Sequence, residues 1–161
     1  MILGLTMEQF TFLHVFVSLV AIGAGIFVLY GLLNAKSLRI LTALFFVTTI
    51  ATSLTGFLFP FRGVTPGIIL GVLSMIVLLL GIVALYMQKL AGPWRGVYVV
   101  SVMLAFYFNF FVLVVQSFEK VPALNAVAPT MSSPGFAITQ LIVLLIFILL
   151  TVRSFKRFRP E

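Results

Sequence analysis

Five apolar runs, each roughly 18–25 residues long, constrain this chain more than anything else in it. At ~1.5 Å per helical residue each run crosses the ~30 Å hydrocarbon core of a bilayer. Inside that core an unpaired backbone amide is costly, so each run must satisfy its own hydrogen bonds as an α-helix. The runs fall at about 10–33, 38–59, 66–87, 96–118 and 135–152. They predict an all-α fold, a polytopic membrane helical bundle of five transmembrane helices in one domain spanning 1–161. A chain that is 63% hydrophobic and 8% charged has no soluble alternative, and its first partner is the lipid bilayer itself.

The breaks are Asn34 to Ser37, Pro60 to Gly63, Gln88 to Pro93 and a longer loop from Glu119 to Pro134 with three prolines. The start of the chain has no basic region and no small-residue cleavage signal, so the first run reads as a retained span. Counting cations on alternate sides places Lys36, Arg39, Lys89, Arg95, Arg153, Lys156, Arg157 and Arg159 on one side against Arg62 and Lys120 on the other. The positive-inside rule then puts the N-terminus outside and the C-terminus in the cytoplasm, as expected for a bacterial inner-membrane protein. The net charge of +7 is thereby a topology signal, and nucleic acid is not an expected partner.

Laid against itself at a shift of 56 residues, the chain matches Ser18, Gly25, Ile26, Leu29, Tyr30, Ala35 and Arg39 to Ser74, Gly81, Ile82, Leu85, Tyr86, Ala91 and Arg95. The pattern reads as a duplicated helical hairpin, runs one and two repeated as three and four, with the fifth helix added. Two spans per unit make this a parallel repeat about an axis along the membrane normal. The halves differ in chemistry: His14 aligns with Leu70, Thr52 with Phe108, Ser53 with Asn109 and Thr55 with Phe111.

Thr48 to Gly56 is the densest run of hydroxyls in any apolar segment, and hydroxyls in hydrocarbon need partners. Helical spacing gathers His14, Ser18, Ala21 and Gly25 into one stripe, and Thr48, Thr52 and Thr55 into another. Small residues let helices approach, which explains most of the glycines and serines by packing alone. If Thr52 and Thr55 only pack, replacing each by Val should cost about 0.6 kcal/mol. The larger polar groups share a depth. His14, Thr52, Ser53, Thr55, Asn109, Gln116 and Gln140 fall in the outer half of the bundle, with Arg62 and Glu119 at the outer mouth beside Lys120, where the long loop can cover them. They define a candidate ligand-binding pocket opening outward. Separate interhelical hydrogen bonds with no cavity account for the same residues equally well.

Motifs that would fix a reaction are missing. The chain has no cysteine, one histidine and only Glu8, Glu119 and Glu161 as acids, too few ligands for a catalytic zinc. It shows no phosphate-binding glycine loop, no Ser-His-Asp set and no mid-membrane carboxylate for ion coupling. His14 can bind iron, relay a proton or hydrogen-bond a quinone, but a second histidine for haem is absent, so metal binding reduces to His14 with haem and the cofactor is left open.

The first span with His14 followed by small residues, the segment Thr52-Ser53-Leu54-Thr55-Gly56 and the segment from Gln116 to Leu124 resemble small multi-pass bacterial inner-membrane proteins of unknown function. The resemblance implies a five-span membrane fold and brings no activity. Three function classes stand open on the sequence: a module binding a small apolar or amphipathic ligand (quinone, lipid or haem), an accessory or structural subunit of a larger membrane complex, and a small channel or transporter, the last as a homo-oligomer or alone.

Overall fold

In a computed structural model, described over residues 1–60 and 63–159, the five runs are five long helices joined by short connections. They are α1 (Met7–Leu33), α2 (Arg39–Phe57), α3 (Pro66–Ile82), α4 (Trp94–Lys120) and α6 (Pro134–Arg157), with a short α5 (Pro122–Val127) between the last two. Each of the five is long and apolar enough to cross a membrane. Their outward surfaces carry the side chains a soluble protein would bury, among them Phe12, Ile40, Leu79 and Leu149. This is the fold of an integral membrane protein, with lipid as the solvent of its exterior.

Local chemistry sets the helix ends, and it moves them from the apolar limits. A helix need not stop where hydrophobicity stops. The Thr6 hydroxyl accepts the Gln9 amide at 3.2 Å while the Gln9 side chain accepts the Thr6 amide at 3.0 Å, a capping box that starts α1 at Met7 rather than Phe10. At its other end Ala35 takes a left-handed φ of 53° and the Lys36 amide returns to the Gly31 carbonyl at 2.8 Å, closing the last turn. Proline opens α3, α5 and α6, where its missing N–H costs nothing. Val83–Met87 continues α3 as a π-helical turn, with the Gln88 amide reaching the Val83 carbonyl at 2.9 Å.

α1 packs on α2, α2 on α3, α3 on α4, and α4 back on α1, closing a four-helix ring; α6 lies outside it against α4 and α1. The half of the ring nearer the Lys36 and Lys89 connections is solid. Phe45, Phe46, Leu78, Val99, Val102, Met103 and Phe106 fill it together with Ala24, Val28 and Leu32. Phe106 is the hub: its ring meets Phe45 at 6.3 Å, Phe110 at 6.1 Å and Phe147 at 5.2 Å, edge to face. It also lies against Gly25, where a Cβ would come to 2.5 Å of the ring. Gly71 and Gly96 receive Phe57 and Phe155 in the same way, so here glycine admits aromatic rings.

Arg95, at the start of α4, ties down the end of α6. Its guanidinium donates to the carbonyls of Phe155 at 2.8 Å and Phe158 at 2.7 Å and lies over the Phe155 ring, satisfying terminal carbonyls that the helix itself cannot. Replacing Arg95 by Ala should lower stability by about 2 kcal/mol, and Arg95→Lys should recover only part of it, since an ammonium lacks the planar fork. Unfolding in mixed micelles measures both; a lysine variant as stable as the parent would show that charge alone suffices.

Candidate functional site

The other half of the ring is hollow. Between α1, α2, α3 and α4 lies a cavity of about 490 Å³ that reaches the rim at Thr65 and Lys120 and ends inward near Ile22 and Ser74. Its surface is mostly apolar, supplied by Val15, Leu19, Phe57, Phe59, Leu70, Phe108, Val112 and Leu113. Onto this surface five of the sequence-predicted site residues project: His14, Thr52, Ser53, Asn109 and Gln116.

Thr55 stands behind His14. Its hydroxyl lies 2.7 Å from His14 Nδ1, and the same hydroxyl donates to the Ala51 carbonyl at 2.7 Å, with the Thr52 carbonyl at 3.1 Å. A hydroxyl has one proton, and that proton is engaged by the backbone of α2. The bond to the imidazole is therefore assigned as Nδ1–H donating to the Thr55 oxygen, which leaves Nε2 as a lone pair. Among the described residues Nε2 has no hydrogen-bond partner. The Phe59 ring meets the imidazole edge to face at 5.2 Å and Phe10 in turn holds Phe59 at 5.1 Å, so the ring is fixed by packing as well.

The remaining polar groups divide according to where their protons go. Thr11 donates to the Met7 carbonyl at 2.8 Å, Ser18 to His14 at 2.7 Å and Thr52 to Thr48 at 2.9 Å, each within its own helix. Asn109 Nδ2 donates to Thr49 at 3.1 Å, joining α4 to α2 beside the cavity. Gln116 donates to Glu119 at 3.2 Å near the rim. Ser74 is buried, lines the cavity, and its hydroxyl has no partner among the described residues.

Two of the expected residues are elsewhere. Gln140 faces α4 from α6, where its amide donates to the Phe111 carbonyl at 3.1 Å and its oxygen is buried without a partner among the described residues; it does not line the cavity. Glu119 borders a separate pocket of about 240 Å³ with Val115, Phe118, Pro129 and Met131. The long loop packs there too, with Ala128 buried beside Val114 and Phe136 on the α4–α6 side, so it leaves the rim of the larger cavity uncovered. Arg62 lies outside the described residues. Conversely, Thr11, Ser18, Thr65, Ser74 and Lys120 line the cavity without having been counted as site residues.

One signal in the sequence points to most of them. Much of the lining pairs at the spacing of the internal match: Thr11 with Gly67, His14 with Leu70, Val15 with Gly71, Ser18 with Ser74, Thr52 with Phe108, Ser53 with Asn109, Gly56 with Val112 and Phe57 with Leu113. Among the described residues no three His, Cys, Asp or Glu side chains converge as a metal site would require. No protein-family model, curated protein or solved structure matches the chain.

The hydrogen bonds separate two threonines that look alike in sequence. Thr52→Val should leave stability within a few tenths of a kcal/mol, because its bond stays inside α2, whereas Thr55→Val should cost about 0.6 kcal/mol through the lost bond to α1. Equal costs in a reversible unfolding assay would contradict this division.

Proposed function

We propose that the protein is a binding module of the membrane that takes up a small amphipathic molecule, of quinone or lipid type, into the cavity between α1 and α4. One observation carries the reading: His14, whose Nε2 has no hydrogen-bond partner among the described residues, lines a mostly apolar cavity of a size suited to a small ligand. A haem there would be five-coordinate, since His14 is the sole histidine and no methionine lines the cavity among the described residues. The solid half favours a blind pocket over a through-channel, because Phe45, Val99 and Ala105 are fully buried across the ring. Apolar walls and a rim at Lys120 suit a ligand that keeps its tail in hydrocarbon and its head near water.

The same reading takes the membrane as a bacterial inner membrane, with the cavity opening outward. In its support, the described cations gather at the solid end, namely Lys36, Arg39, Lys89 and Arg95 with those of the C-terminal stretch, and Lys120 alone lies at the hollow end. The ring is taken as a duplicated hairpin. That reading is supported by the pairing of the lining and by the matched glycines Gly25 and Gly81, each of which faces a phenylalanine of another helix, Phe106 and Phe46, though those two rings are not themselves at matched positions.

Purified in mild detergent, the parent protein should yield a stoichiometric small molecule on organic extraction and mass spectrometry, and His14→Ala should lose at least nine-tenths of it while eluting and melting as a folded bundle. A ligand-free parent preparation that co-purifies with other membrane subunits would replace this reading by that of an accessory subunit. The absence of native cysteine makes topology directly testable: in intact cells Val127→Cys should react with a membrane-impermeant maleimide and Lys89→Cys should not. The reverse pattern would turn the cavity towards the cytoplasm.

A further inference from the structure

The proposed binding reading can be taken one step further, from a cavity to the chemistry of what fills it, by counting which polar atoms still have something to offer. Thr11, Ser18 and Thr52 have committed their protons to backbone carbonyls of their own helices. Towards the cavity they present oxygen lone pairs only. His14 also lines the cavity, and with Thr55 itself donating to α2 its ring proton is assigned to Nδ1, which leaves Nε2 as a lone pair. The uncommitted donors among the described lining are the Ser53, Thr65 and Ser74 hydroxyls, the second amide protons of Asn109 and Gln116 and, at the rim, the Lys120 ammonium, none of which is on α1. On the α1 side, where His14 stands between Thr11 and Ser18, the cavity is thus a surface of acceptors.

We infer that the site is built for a hydrogen-bond donor, an alcohol or phenol on an apolar body, whose O–H donates to His14 Nε2. The inference rests on the cavity being a binding site. A ketone, quinone carbonyl or carboxylate brought to Nε2 would set lone pair against lone pair in a surrounding too apolar to relieve it. A quinol would therefore be held in preference to its quinone, and a hydroxylated lipid in preference to its ester. Phe59 closes over the imidazole, so the tautomer that makes the distinction is held by a hydroxyl on one side and an aromatic ring on the other.

Two measurements test this on the full-length protein in lipid nanodiscs. Because His14 is the only histidine, its two imidazole nitrogens can be assigned by nitrogen NMR without ambiguity. The expected result is a neutral ring protonated at Nδ1; a proton at Nε2 in the parent protein overturns the inference. Binding is then compared for para-octylphenol and para-octylfluorobenzene, a near-isosteric pair in which only the phenol can donate. The phenol should bind about ten-fold more tightly, and the preference should vanish in His14→Ala. It should also shrink in Thr55→Val, a subtler change that keeps the imidazole but frees its tautomer and guards against misfolding of the alanine variant. Equal binding of the two probes removes the donor requirement and leaves the cavity a binding site. Binding of neither removes both.

Discussion

A phenylalanine ring laid on a glycine is the contact on which this bundle depends. In lipid no hydrophobic force draws helices together, so association rests on close packing, and the largest packing gains come where a bulky side chain meets a residue with none. Phe106 on Gly25 joins α4 to α1, and Phe46 against Gly81 joins α2 to α3. These two contacts, with Phe45 and Phe147 against Phe106, fill one half of the ring. Farther along, where the corresponding inward positions are His14, Ser18, Ser53 and Gly56 on one pair of helices and Leu70, Ser74, Asn109 and Val112 on the other, Asn109 still reaches Thr49 of α2 but no aromatic plug fills the middle. The cavity is what the aromatic plug leaves unfilled.

Hydroxyls within hydrocarbon have two ways to be satisfied, and the choice decides what they can do. Most here take the near one. Thr48, Thr52, Thr139 and Thr151 return their protons to carbonyls about one turn back and so contribute little between helices. Interhelical bonding falls instead to a few larger groups: His14 with Thr55, Asn109 with Thr49, and Gln140 with the Phe111 carbonyl. Two of these three sit beside the cavity, where they fix the side chains that would meet a ligand. Structural and functional readings of those residues are therefore compatible, because a bond that orients a wall residue also joins two helices.

The five helices were legible because a bilayer demands some 20 apolar residues per crossing, a signal that survives any detail of packing. Most of their ends were legible only to within a turn, since Thr6 and Gln9 extend α1 beyond its apolar run and Ala35 closes it by backbone geometry, and α6 runs on to Arg157, more than a turn past its apolar run at 152. For the candidate site, helical spacing placed His14 and Thr52 on inward stripes, and the structure puts both on the cavity wall. Spacing could not place Gln140, because the face a helix offers its neighbours is set by where the bundle puts that helix, and α6 lies outside the ring. Nor could it separate Glu119 from Lys120, adjacent residues that point into different pockets from one helix end. The tautomer of His14 was illegible for another reason: it depends on a threonine 41 residues away and on where that threonine's proton goes.

If the ring arose by duplication, its cavity began with two equivalent walls, and the present chemistry records how they diverged. Ser18 and Ser74 are unchanged, yet the first bonds to its own helix while the second has no partner among the described residues. Against them, His14 and Thr52 stand opposite Leu70 and Phe108 in the match, so a polar edge formed around His14 on the α1–α2 wall, while Asn109, matched to Ser53, and Gln116 keep polar groups on the α4 side. A bundle held together by packing alone gains nothing from sorting its residues this way, because leucine in both walls would fill the space and remove the cost of an unpartnered hydroxyl. A ligand with one polar edge and one apolar face does gain, since it can lie in only one orientation. In the proposed binding reading the imidazole selects by hydrogen bonding, and the apolar side chains across from it by shape.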